Sequence, residues 1–211
     1  INILEVAKNL NFEGRLFFAG SSEIFGETKI AAEINHALNP KSPYAIAKQT
    51  SFNLVKLYRE IYNLKCFTGV LFNHESPYRP KQFVTQKIIE GAIKCCKDRS
   101  HKISVGNIDI ARDWGWAEEY MEAVQLITNA DEARDQIICT GRLSTLKKFI
   151  KITFDKLDLN WEDHIESNNN LLRKSDIMIS YGNPLQFKRD LNWEANIRIE
   201  QIIERLIEKQ L

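Results

Sequence analysis

No stretch of this sequence approaches the roughly 18 consecutive apolar residues that a membrane-spanning helix needs. Its first residues also carry no basic region followed by a continuous apolar run. Charge of one sign is missing too. Lys plus Arg total 29 against 28 for Asp plus Glu, and a formal net charge of +1 gives no general field to attract nucleic acid or an anionic membrane. Any anion must be held by local groups. Cysteine is sparse: Cys66, Cys95, Cys96 and Cys139 show neither CxxC spacing nor a disulfide-rich frame, which fits reduced thiols and gives no metal site. Glycine is scarce where a dinucleotide would need it, because Gly14, Gly20 and Gly26 are not in GxGxxG spacing. The tight turn that holds a pyrophosphate at a helix N-terminus is therefore missing. Together these absences predict a soluble cytoplasmic protein without nucleic-acid or membrane partners.

What is present suits a folded core: 44% of the 211 residues are apolar, enough for one large domain or two small ones. Residues 1–10 place Ile3, Leu4, Ala7 and Leu10 at helical spacing with no capping residue ahead of them, so the chain reads as beginning inside an element. Residues 15–20 form a short apolar run ending in glycine, the pattern of a buried parallel strand that opens into a loop over 21–26. Ser42 as N-cap and Pro43 at the first helical position start a helix running to about Asn63. A second buried strand is predicted over 65–73 and an amphipathic helix over 83–97. Further strands are predicted near 103–105 and 136–140, with helices over 117–129, 145–157, 184–191 and 197–209 and a polar loop at 167–170. Short strands alternating with helices specify an α/β architecture with a mainly parallel sheet, whose ligands lie beyond the carboxyl ends of the strands.

Tyr44 and Lys48 stand four residues apart near the start of a predicted helix and so share a face. An ammonium beside a phenol favours the phenolate, the form in which tyrosine acts as a base. A YxxxK spacing alone describes many solvated helix faces. Its weight comes from Ser21, Ser22 and Glu23 on a strand-end loop some twenty residues earlier, because neighbouring strand ends meet in such folds. Trp114 and Trp116 read as packing residues.

The runs GSSEIFG, NPKSPYAIAK, GVLFNHESP and VGNIDIARDWG together resemble the motif series of GDP-mannose 4,6-dehydratases, with LFNHESP and GN-D-RDWG the discriminating members. The resemblance covers about 16–193 and thins after Gly141. It implies a partial Rossmann-like parallel sheet with a smaller C-terminal substrate-binding domain. Residues 1–75 would be the C-terminal part of an NADP-binding domain. Residues 76–211 would be mainly a sugar-nucleotide-binding region, with elements over about 109–141 returning to the first sheet. It implies NADP as cofactor, GDP-mannose as substrate, and a homo-oligomer, dimer or tetramer. In the implied reaction the hexose is oxidised at C4 by NADP, water is lost across C5 and C6, and the hydride returns to C6, giving GDP-4-keto-6-deoxymannose.

By the same resemblance, Tyr44 would take the proton of the sugar 4-hydroxyl, which Ser21 would hydrogen-bond. Lys48 would hold the cofactor ribose, and Glu23 would remove the C5 proton. His74 would lie at the nicotinamide end and Arg79 would reach a cofactor phosphate. Ser22, Asn73, Lys87, Arg112, Arg173 and Asp176 would contact the substrate, the cations suiting a diphosphate. The sequence departs from the family in several places: Ser21 stands where threonine is usual, Tyr78 where arginine is usual, and Lys174 and Asp176 where proline and glutamate are usual. The missing glycine turn marks the chain as a fragment whose incomplete sheet would expose a hydrophobic edge and face. Two other readings stay open, a related nucleotide-sugar dehydratase or epimerase and a non-catalytic truncated remnant. Glu23 speaks for dehydration, which needs a base for the C5 proton.

Overall fold

The computed structural model describes residues 1–172 and 176–211. Helix α1 (Asn2–Asn9) leads into β1 (Leu16–Ser21), α2 (Pro43–Tyr62) and β2 (Cys66–Leu71). Next come β3 (Asn73–Glu75), α3 (Val84–Lys97), β4 (Ile103–Val105), β5 (Ala111–Trp116), α4 (Ala117–Asn129) and β6 (Asp135–Ile138). The chain continues through β7 (Leu143–Thr145), α5 (Leu146–Asp155), β8 (Ile165–Ser167), β9 (Ile179–Ser180), α6 (Leu185–Leu191) and α7 (Ile199–Glu208). The α/β architecture and its parallel sheet are as the sequence predicted.

The first sheet has the order β1-β2-β6 and is parallel throughout. Its central strand β2 is buried from Cys66 to Val70 because both faces are covered. Alternate residues serve opposite faces. Cys66 packs with Leu4, Ala7, Val55 and Tyr58 of α1 and α2, and Val70 packs with Phe52, while Phe67 packs with Tyr120, Ala123 and Ile127 of α4 and with Phe187 of α6. Arg59 of α2 pairs through both terminal nitrogens, at 2.8 and 2.6 Å, with the Asp135 carboxylate at the start of β6. On the far side β1 is an edge strand, and α1 leaves Ile3 and Val6 exposed, as is Leu10 just beyond it.

In the second sheet β5 pairs in parallel with β3 and β9 and antiparallel with β7, while β4 and β8 form a separate parallel pair. Around these strands α3, α5 and α7 enclose Trp114 and Trp116 with Ile88, Ile89, Phe149 and Phe154. Helix α7 exists because Ile199, Ile202, Ile203 and Leu206 fall on one buried face.

Beyond the short strands β7, β8 and β9, which the sequence did not announce, three features differ from the sequence expectation. The run 65–73 is not one strand: β6 ends at Ile138, so after Phe72, whose amide still reaches the Ile138 carbonyl, the chain crosses to β5. Strand β5 itself was not foreseen, because Ala-Arg-Asp-Trp-Gly-Trp has neither alternation nor a continuous apolar run, yet Asp113 and both tryptophans are buried. Finally, Ser167, placed in a loop, ends β8, and Asn169–Leu171 forms a 3-10 turn.

Asp113 joins the two sheets. Its fully buried carboxylate accepts hydrogen bonds from the Thr140 amide (2.9 Å) and hydroxyl (2.6 Å), the Gly141 amide (2.8 Å) and the Gly182 amide (3.5 Å). Gly141 has φ of +72°, and a side chain there would meet Pro184 Cδ at 2.8 Å, so glycine is required at the joint. No helix among the described residues is long and apolar enough to cross a membrane.

Candidate active site

The carboxyl end of β1 runs directly into a tight turn that carries the acid. Ser21 keeps an extended backbone and its Oγ accepts from the Glu23 amide at 3.3 Å, capping the 3-10 turn Ser22–Phe25. Ile24 and Phe25 anchor the turn in the core, and Gly26 closes it at φ of +67°, where a side chain would strike the Asn39 carbonyl. Glu23 is thereby fixed above the sheet.

Helix α2 begins beside it. Ser42 caps the helix by accepting from the Ala45 amide at 3.1 Å, with Pro43 in the first turn, where its missing N–H is no loss. The same hydroxyl donates to Glu23 Oε2 at 3.3 Å, which ties the carboxylate to the helix that carries Tyr44 and Lys48. One turn on, Lys48 Nζ donates to the Ala19 carbonyl of β1 at 2.9 Å and lies 5.7 Å from the Tyr44 ring centroid. Tyr44 is 52% exposed.

Strand β3 sends alternate side chains to opposite sides. Asn73 and Glu75 line a cleft of about 490 Å³. His74 turns away onto Tyr120, with ring centroids 5.2 Å apart, and its Nδ1 is 2.8 Å from the Phe72 carbonyl. A carbonyl only accepts, so Nδ1 carries the proton. Burial holds the imidazole below the ordinary histidine range, against the hydrogen bond to Phe72 and with help from the Arg79 charge.

The cleft brings together Ser22, Glu23, Asn73, Arg79, Lys87, Arg112 and Asp176 of the residues picked from the sequence. Ser21, Tyr44, Lys48 and His74 sit at the adjoining strand and helix ends and are not in its lining. Arg173 lies outside the described residues. Among the cations, Lys87 Nζ donates to the Ser104 carbonyl at 2.5 Å, and Arg112 Nη1 donates to the carbonyls of Ala111 at 2.9 Å and Met178 at 3.4 Å. Arg79 donates to the His74 carbonyl at 2.8 Å and covers the Phe83 ring at 4.1 Å. Trp114, read as packing, is buried in the core and also reaches the cleft wall.

Sequence reasoning missed two residues here. Ser42 was seen as a helix cap only, although its place two residues before Tyr44 put a hydroxyl at the site. Glu75 lies within the discriminating motif at strand alternation from Asn73, a signal that would have placed both on one face.

A parallel sheet with a Tyr/Lys pair and a carboxylate at its strand ends, beside a cleft lined by several Lys and Arg side chains, has a Rossmann-like α/β architecture. Solved structures of this fold include a dTDP-glucose 4,6-dehydratase from Bacillus anthracis in complex with NAD (TM-score 0.87, 17% identity, 98% of this chain and 64% of that one). RMD from Pseudomonas aeruginosa complexed with NADPH superposes with a TM-score of 0.88 at 18% identity, over 99% of this chain and 70% of that one. The family model for GDP-mannose 4,6 dehydratase matches residues 1–206, and the chain belongs to that family. GDP-mannose 4,6 dehydratase 1 of Arabidopsis thaliana is 32% identical over all of this chain and 60% of its own length. The Homo sapiens GDP-mannose 4,6 dehydratase is 29% identical over 92% of this chain and 57% of its own. The chain thus spans somewhat over half the length of these curated relatives.

Proposed function

We propose that these residues form the catalytic and substrate-binding part of a sugar-nucleotide 4,6-dehydratase, a hydro-lyase that takes GDP-mannose and uses NADP. The observation that carries this reading is the Ser42 link. It sets the Glu23 carboxylate beside the helix bearing Tyr44 and Lys48, in the lining of a cleft that Lys87 and Arg112 also line.

The residues present fit the nicotinamide end of a dinucleotide. Lys48 and Tyr44 offer donors suited to ribose hydroxyls, and burial disfavours the charged form of His74. Arg79 is a further candidate for a cofactor phosphate. The glycine turn for a pyrophosphate is not among these 211 residues. When bound, the dinucleotide supplies the acceptor, and later the donor, of the hydride exchanged with the sugar.

In the proposed reaction Tyr44 takes the proton of the 4-hydroxyl as C4 is oxidised, with Ser21 holding that hydroxyl and Lys48 one helical turn further on. The C4 ketone acidifies C5–H. Glu23 takes this proton and returns it to the departing C6 hydroxyl, so that one water leaves. Ser22, Asn73, Lys87, Arg112, Arg173 and Asp176 hold the sugar nucleotide, the cations facing its diphosphate. Free thiols fit a cytoplasmic setting, and assembly as a dimer or tetramer is part of the same reading.

The test is incubation with GDP-mannose and either NADP or NAD, with the 4-keto-6-deoxy product followed by mass spectrometry. Turnover of a different sugar nucleotide with none of GDP-mannose rejects the substrate, and faster turnover with NAD rejects the cofactor. Light scattering reads the assembly state.

A further inference from the structure

Arg112 and Trp114 of β5 line the cleft, and Asp113 between them points to the other side of the strand. There its two oxygens divide four donors. Oδ1 accepts from the Thr140 amide and hydroxyl just beyond β6, while Oδ2 accepts from the Gly141 amide and, at 3.5 Å, from the Gly182 amide. Gly182 follows β9, which sets Ser180 beside Arg112 of β5, and both Asp176 and Ser180 line the cleft. The same segment is tied to the chain that leaves the Glu23 turn. Thr28, fully buried, donates its amide to the Ile179 carbonyl at 2.9 Å, and its hydroxyl accepts from the Tyr181 amide at 2.9 Å. Ala32 then donates to the Tyr181 carbonyl and accepts from the Asn183 amide. Hydrogen bonds therefore run from the acid turn through residues 179–183 to Asp113, and from Asp113 to the first sheet at the end of β6. Apolar packing is non-directional and lets one sheet slide on another, whereas a carboxylate met by four donors fixes distance and direction.

We propose that Asp113 is a positioning residue that sets the span of the cleft, holding the strand that carries Arg112 at a fixed distance from the turn that carries Glu23. A fixed span matters only to a ligand held at both places: a nucleoside diphosphate alone needs the cations, whereas an attached hexose must also reach the acid turn. This rests on reading the cleft as the GDP-sugar site, and it gives Asp113 no contact with the ligand.

The test is calorimetric binding of GDP and of GDP-mannose to the full 211-residue chain, read as the ratio of the two affinities. In Asp113→Asn the NH2 group faces the amide of Thr140 or of Gly141 whichever way the side chain turns, so β5 is loosened from the end of β6. GDP affinity should stay within a few-fold of wild type, while the extra affinity that mannose confers should fall about tenfold, the scale of one hydrogen bond. Arg59→Met breaks the pair with Asp135 at the other end of β6 and destabilises the chain without touching the joint, so it should leave the ratio at its wild-type value. An unchanged ratio in Asp113→Asn, an equal loss for both ligands, or the same fall in Arg59→Met overturns the proposal. If the asparagine variant does not fold, Thr140→Val, which removes one of the four donors, is read by the same criteria. A wild-type chain whose ratio falls in Asp113→Asn, but which does not turn over GDP-mannose, leaves this inference standing and removes the dehydratase. One that binds neither ligand, or binds both equally, removes the reading of the cleft and this inference together.

Discussion

Replacing Asp113 by asparagine takes a titrating group out of the joint between the two sheets with almost no change of size. The carboxylate is fully buried and is met by four donors, from Thr140, Gly141 and Gly182. Burial pushes its carboxyl up from 3.8 to about 6, against the pull of those donors. A carboxyl with a folded pKa above its unfolded one holds its proton more tightly in the folded chain. Its contribution is therefore complete below about pH 4 and is lost as the pH rises through about 6. A gap of about two pH units corresponds to roughly 3 kcal/mol. Asparagine cannot titrate, and its NH2 must face at least one of the donors, a fixed cost of about 1 to 3 kcal/mol at every pH. Urea denaturation of both proteins at steps between about pH 4 and pH 7 measures this, since all other groups cancel in the difference. The stability advantage of the wild type should shrink by about 3 kcal/mol across that window. A difference independent of pH refutes the reasoning. A difference that grows with pH shows that the four donors outweigh burial.

Three further outcomes are expected. Glu23→Gln should leave folding and GDP affinity unchanged and lower dehydration by a factor of about 10² to 10⁴, the usual worth of a general base; activity within a few-fold of wild type in the product assay removes Glu23 from the chemistry. Ser42→Ala should cost about 1 kcal/mol of stability through the lost helix cap, whereas Ser42→Asp keeps the cap and sets a like charge against Glu23. Equal thermal stability but lower activity in the aspartate variant is expected, and equal activity in both would show that the Ser42 link to Glu23 is idle. Phe149→Ala, in the fully buried cluster against Trp114, should destabilise the chain by about 3 to 5 kcal/mol in urea melts; a loss below about 1 kcal/mol would mean that the cluster collapses around the gap.

Much of the fold was legible in the chain because local signals agreed with tertiary packing. Ser42-Pro43 at one end and Asn63 in a left-handed conformation at the other bound α2 as expected. The apolar run at Cys66–Leu71 could only be a strand covered on both faces. The candidate site was legible in part. The spacing of Tyr44 and Lys48 and the placing of Ser21 and Glu23 at a strand end follow from chain order, and the cleft unites Glu23 with Asn73, Lys87, Arg112 and Asp176. Strand β5 and the role of Asp113 were not legible, since a buried carboxylate looks like a surface charge until its donors, from distant parts of the chain, are known.

The sequence alone determined most of the helices, the parallel strands of the first sheet and their alternation, because helix caps and periodicity act over a few neighbours. Only the tertiary structure decided which strand of the second sheet Asn73 and Glu75 would join and that a helix-capping serine would hold Glu23. It also decided that Arg79 would fold back on Glu75. Those choices depend on where partners remote in sequence end and on which buried polar group has a donor within reach.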